Sequence, residues 1–124
     1  NVFELQRALG QKDVERANRI VNYFEANPKN APLAMVVPVL HAYFARVLVY
    51  QSLSDKHDSA AAKAMKCSPY AVKDYARAAQ SFSPAKVERI FGYLREADKK
   101  AKGLENATTT DGMLLREAVF KILH

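Results

Sequence analysis

The chain has 124 residues, 49% of them apolar and 26% charged, which suits one globular domain with a single core. One cysteine, Cys67, excludes an internal disulfide and fits a reducing compartment, so a cytoplasmic location is expected. An excess of 19 Lys and Arg over 13 Asp and Glu, net +6, permits contact with nucleic acid or an acidic partner but establishes neither.

Phe3, Leu5, Ala8 and Leu9 predict a short first helix closed by Gly10, with Phe3, Leu5 and Leu9 in the core. The chain starts Asn-Val-Phe with no initiator Met, so a piece of a longer protein is expected. Its start also lacks the basic and apolar segments of a secretion signal. Asp13 then caps a second helix whose apolar stripe is Val14, Ala17, Val21 and Phe24, widened by Ile20 and Tyr23. Asn27-Pro28 ends it, because the residue before proline is pushed out of the helical region.

The segment from Pro32 to Leu53 is the most hydrophobic, and from Leu33 to Tyr50 its only strongly polar side chains are His41 and Arg46. Its length approaches that of a membrane span. Pro38, His41 and Arg46 in its middle, with amphipathic helices around it, predict instead a core helix touched on several sides and no membrane contact. Pro38 is expected to kink this helix or break its first turn.

After a polar link, Ala60 to Lys66 reads as a short alanine-rich helix. Ser68-Pro69 and Ser83-Pro84 each open a further helix, serine as N-cap and proline at the first helical position. The first runs from about Pro69 to Gln80 and buries Val72, Tyr75, Ala76 and Ala79. The second runs from Pro84 to Lys102, buries Val87, Ile90, Phe91, Leu94 and Ala97, and is closed by Gly103. Residues 104–109 read as a loop. Thr110 or Asp111 caps a last helix with Leu114, Leu115, Ala118, Val119, Ile122 and Leu123 inside. No segment alternates as a strand. The expected fold is all-α, a compact bundle of six or seven helices forming one domain over residues 1–124.

No catalytic constellation is present. Four scattered glycines make no phosphate-binding loop. Asp55, His57 and Asp58 do not share a helix face and read as a solvated loop, so no metal is expected. Cys67 has no His or Asp at a telling spacing and reads as a buried or half-buried structural thiol. His41 reads as a satisfied core or interface histidine. No cofactor is implied.

The basic residues are more informative. Lys63, Lys66, Lys73 and Arg77 gather around the first Ser-Pro helix with Tyr70 and Tyr75, a mixture in which aromatic rings can stack on bases while cations follow phosphates. A solvated helix face is the plain alternative. Residues 60–75 also have the outline of a helix-turn-helix, with Ala62 and Val72 at its small and apolar positions. Lys66 stands where that motif usually has glycine, and Asp74 would lie on the recognition helix, both arguments against it.

The order of these segments carries a resemblance. Ser68-Pro69-Tyr70-Ala71-Val72-Lys73, then Ala78-Ala79-Gln80-Ser81-Phe82-Ser83, then Leu94-Arg95-Glu96-Ala97-Asp98-Lys99-Lys100-Ala101-Lys102-Gly103, resembles the C-terminal domain of the delta subunit of bacterial DNA polymerase III. Phe3-Glu4-Leu5 with Ala8-Leu9-Gly10 is similar to that domain's opening. Gln80, where the family often has a basic or small residue, and Thr108-Thr109-Thr110 depart from the pattern.

The resemblance implies a helical collar domain of the clamp loader, the ATPase assembly that places the sliding clamp on primed DNA. It would be non-catalytic and would hold delta to its gamma/tau and delta-prime partners. The sliding clamp would be met only through an N-terminal part. By the same resemblance Tyr70 and Lys73, with Arg77 beside them, are the expected DNA contacts. The competing expectations are that Tyr70 packs over the helix start, and that the chain is a stand-alone helix-turn-helix-like DNA-binding domain.

Overall fold

A computed structural model describes residues 1–103 and 109–124. Its described residues contain seven α-helices and no strand: α1 (Val2–Gly10), α2 (Val14–Ala26), α3 (Leu33–Ser52), α4 (Asp58–Met65), α5 (Val72–Ser81), α6 (Pro84–Ala101) and α7 (Asp111–Leu123). Short 3₁₀ turns at Pro28–Asn30 and Pro69–Ala71 precede α3 and α5. The expected loop at 104–108 lies outside the described residues.

Local chemistry sets most boundaries. The Asn1 side chain accepts the Glu4 N–H at 2.9 Å, and Asp13 accepts that of Arg16 at 3.1 Å, each satisfying an amide that has no partner within its helix. Ser83 accepts the Lys86 N–H at 3.1 Å, and Thr110 that of Met113 at 3.2 Å. Asp111 reaches instead to the other end of the sequence and accepts the Leu33 N–H at 2.8 Å. One carboxylate thus ties the start of α7 to the start of α3, where Pro32 supplies no side-chain cap. Gly103 takes φ +73 beyond α6, the left-handed conformation expected there.

Helix α3 is the central element, packing against α1, α4, α5, α6 and α7. Its length and composition would also suit a membrane span. Its inner face of Leu33, Val36, Leu40, Tyr43, Phe44 and Val47 is nevertheless buried among these helices. Tyr43 and Phe44 meet edge to face at 5.1 Å, Phe44 meets Phe82 the same way at 5.6 Å, and Tyr43 lies 5.1 Å from Tyr75. This run of rings joins α3 to α5 and to the link before α6. Burial pushes the Tyr43 hydroxyl far above the ordinary tyrosine range, so it stays protonated at any physiological pH.

Several expectations need correction. Phe3 is 63% exposed, because α1 turns Leu5, Ala8 and Leu9 inward and Phe3 falls on the opposite side. Val14 and Tyr23 are exposed while Ala17, Val21 and Phe24 form the narrower inner stripe of α2. Of the kink or break expected at Pro38, the break does not occur: α3 runs from Leu33 to Ser52 with Pro38 inside it. Only one backbone hydrogen bond is lost there, and the ring sits on the solvent side.

Ser68 makes no side-chain cap, and residues Pro69–Ala71 wind as a 3₁₀ turn before α5 begins at Val72. That shift rotates Ala78 fully inward and leaves Ala76 and Ala79 half-buried. His41 is exposed, its ring 4.8 Å from that of Phe91, and is no core residue. Cys67 is half-buried with its thiol pushed up by desolvation, an inert environment.

Candidate nucleic-acid interface

The site is built on α4, α5 and the turn between them. Helix α4 ends at Met65, whose carbonyl accepts Arg46 Nε from α3 at 2.9 Å. The chain then reverses through Lys66, which adopts φ +57, ψ +50. This is the left-handed conformation that glycine takes without strain. The Cys67 N–H closes the turn on Ala62 O at 3.1 Å, and the Ala71 N–H bonds Ser68 O at 3.0 Å. The absence of glycine at position 66 therefore does not prevent the turn. Ala62 and Val72 are both buried where the two helices meet. The two helices are joined by residues 66–71, a left-handed residue followed by a 3₁₀ turn, so the helix–turn–helix order is present with a longer connection than that motif usually has.

The outer surface of this unit is basic. Tyr70, Lys73, Arg77 and Gln80 are all exposed and recur at i, i+3, i+7 and i+10, one face of a helical turn sequence. Tyr70 is 92% exposed. It does not pack over the helix start, because the 3₁₀ turn carries its ring away from the body. Lys63 and Lys66, exposed on the α4 side, extend the strip. None of Lys63, Lys66, Lys73 or Arg77 pairs with a carboxylate among the described residues.

The one acidic residue of α5, Asp74, faces aside to Arg7 of α1 at 3.7 Å. Its charge is thereby partly offset, which leaves the Tyr70 face net positive. Tyr75 points the other way, into the core, and desolvation raises its hydroxyl's pKa. Of the two tyrosines in this stretch, only Tyr70 is free to stack on a base.

The strip thus brings together Tyr70, Lys73 and Arg77. Chemically it offers a ring for stacking and four cations for phosphates; it has no nucleophile, no general base and no charge buried among the described residues. On the other side of the motif, Asp55 and His57 form an exposed pair at 2.8 Å, with Asp55 held below the usual carboxylate range by hydrogen bonds from His57.

Family comparison agrees with this architecture. The family model for the C-terminal domain of the DNA polymerase III delta subunit matches residues 1–115 of the chain. The chain belongs to that family. Comparison with curated proteins and with solved structures finds no significant match. The match spans six of the seven helices of this delta-type domain and runs into the seventh. The Tyr70 strip and the whole of α3 lie inside it.

What sequence reasoning missed in this domain is the role of position 66. A lysine gives no composition signal for a left-handed residue. The surviving signal was indirect: Ala62 and Val72 at the right offsets from it.

Proposed function

We propose that this domain is a non-catalytic collar module of the clamp loader, holding delta to its gamma/tau and delta-prime partners around primed DNA. The observation that carries this reading is the outward face of α3. Met35, Pro38, Ala42, Ala45 and Val49 repeat at i, i+3, i+7, i+10 and i+14, a heptad-like apolar stripe on the solvent side of the central helix. Met35 is 61% exposed, and Phe3 of α1 flanks the stripe across a groove of about 310 Å³ with Pro38, Val39 and Ala42. Small residues at 42 and 45 let another helix approach closely. An exposed apolar stripe on the central helix supports a protein–protein contact there.

In a reconstituted clamp loader, Met35→Cys in a Cys67→Ser background is expected to crosslink to a neighbouring subunit, while Ser54→Cys, on the polar link, is not. Equal crosslinking at both positions, or at neither, would count against the stripe as the contact.

Within the collar, Tyr70, Lys73 and Arg77 are proposed to meet the DNA. Replacing all three by alanine is expected to weaken primed-DNA binding by the assembled loader about tenfold or more, given about 1–3 kcal/mol for a stacked base. Assembly of the loader should be untouched. Undiminished DNA affinity would sink the contact.

A second reading, a duplex reader of helix-turn-helix type, is favoured by the left-handed Lys66. It requires discrimination among duplex sequences at moderate salt, whereas backbone contact alone gives weak, steeply salt-dependent binding.

A further inference from the structure

We propose that a second basic site, the cleft at the far end of α5, takes a phosphate group of the nucleic-acid backbone that begins at Tyr70. The proposal rests on the nucleic-acid reading of the α5 strip and extends it. The cleft measures about 330 Å³ and is walled by Lys12, Ser81, Ser83, Lys86, Arg89 and His124, over a floor of Phe82, Ile122 and Leu123. Among the described residues its lining has three Lys or Arg side chains and no Asp or Glu.

Four separate parts of the chain converge there: the α1–α2 turn, the α5–α6 link, the first turns of α6 and the end of α7. Neighbouring carboxylates are engaged elsewhere or turned away. Asp13 caps α2 through Arg16, Glu117 pairs with Lys121 at 3.1 Å, and Glu88, next to Arg89, does not line the cleft.

Two of the cations are held in place by contacts other than a carboxylate side chain. Lys12 adopts φ +51, a conformation glycine would take without strain, and its N–H bonds Leu9 O at 2.9 Å. Its ammonium sits 4.9 Å above the ring of Phe82. Lys86 Nζ donates to Lys121 O at 2.9 Å at the end of α7. Arg89 pairs with no carboxylate among the described residues. Ser83 is the N-cap of the 18-residue α6, whose positive end faces the cleft, while the carbonyl ends of α5 and α7 reach the same cleft, so the side-chain cations and not the helix dipoles carry its positive charge.

The cleft also lies in line with the strip. Ser81 stands one turn beyond Arg77 on the same face of α5, its hydroxyl bonded to Arg77 O at 3.3 Å, and it lines the cleft. A strand stacked at Tyr70 and following Lys73 and Arg77 along α5, about 15 Å long, therefore runs towards this cluster. Such a succession of ring, cations and anion cradle fits a polymeric phosphodiester better than an isolated ion.

The test is fluorescence anisotropy of a labelled 15-nucleotide oligo(dT) with this chain over a series of salt concentrations, for the unaltered chain, Lys12→Gly/Arg89→Ala and Tyr70→Ala. Lys12→Gly removes the cation and relaxes the backbone, and Arg89 is exposed, so both changes leave the fold intact, as melting curves would verify. The double variant is expected to bind about tenfold more weakly, the loss for one charge-assisted contact, and its slope of log affinity against log salt should flatten by about 0.7, the value for one single-strand phosphate.

Unchanged affinity and slope in the double variant, with Tyr70→Ala weakened, would overturn the cleft and leave the strip standing. The reverse pattern would support the cleft and remove the strip. Failure of the unaltered chain to bind at low salt would overturn both. Pyrophosphate and a poly-glutamate peptide serve as competitors. Displacement by poly-glutamate as effective as by unlabelled oligo(dT) of equal charge would overturn the nucleic-acid assignment in favour of an acidic protein segment. Displacement by pyrophosphate at concentrations matching the oligonucleotide's phosphates would overturn it in favour of a free small anion.

Discussion

Phe44→Ala is expected to lower the stability of the domain by about 3–5 kcal/mol in denaturant titration, the range for truncating a buried aromatic ring. Phe44 is fully buried at the middle of α3 and meets Tyr43 and Phe82 edge to face. Removing it takes away the ring of the central helix that meets Phe82 in the α5–α6 connection. The cavity cannot close, because the rings on either side are themselves packed against α5 and α6. With a total stability on the order of 5–15 kcal/mol for a domain, the variant would stand near the edge of folding. Phe44→Leu keeps most of the volume and should lose clearly less. A loss below about 1 kcal/mol for Phe44→Ala would mean that the ring run is not what holds α3 in place.

Gly10→Ala is the second large effect, and its sign is the informative part. Alanine in a helix normally gains about 1 kcal/mol over glycine. Here a Cβ at position 10 would lie 1.9 Å from Tyr43 Oη, 3.0 Å from Tyr43 Cζ and 3.3 Å from Ala78 Cβ. Tyr43 is buried and packed on Phe44 and Tyr75, so any withdrawal towards the small cavity beside its ring disturbs those contacts. Overpacking is therefore expected to outweigh propensity, for a net loss of about 1–3 kcal/mol. Tyr43→Phe, which removes the clashing oxygen, should recover part of that loss in the double variant, a coupling visible in a double-mutant cycle. A neutral or stabilising Gly10→Ala would contradict the packing of α1 against α3.

Much of this architecture was legible in the residues, for identifiable reasons. Apolar spacing marks the inner faces of α6 and α7, which pack on each other and on α3 and α2, apart from Phe91, expected inside and only half-buried. Caps at Asp13, Ser83 and Thr110 are local chemistry and were found where the side chains predicted them. What failed depends on tertiary geometry. An apolar residue near a helix end, such as Phe3, carries no mark of whether its face is covered by another helix. The stripe of α3 is apolar all round, so its sequence cannot separate the side packed on five helices from the side left open.

Likewise Ser68-Pro69 and Ser83-Pro84 are identical dipeptides with different outcomes. Ser83 opens an α-helix directly, while Ser68 follows a tight left-handed turn that forces a 3₁₀ start. At the candidate interface, Tyr70, Lys73 and Arg77 were nameable from composition and resemblance. Their alignment on one face, and the cleft formed with Lys12 and Arg89 from distant positions, required the fold.

The central claim is that this domain works as an assembly module, and the most direct measurement is native mass spectrometry of the 124-residue chain mixed at micromolar concentration with purified gamma/tau and delta-prime proteins. A stoichiometric complex is predicted, and it should be lost on Met35→Asp/Ala42→Asp, two exposed positions on the α3 stripe whose replacement leaves the melting temperature within a few degrees of the original. A chain that stays alone in the mixture, or a complex indifferent to both substitutions, would contradict it.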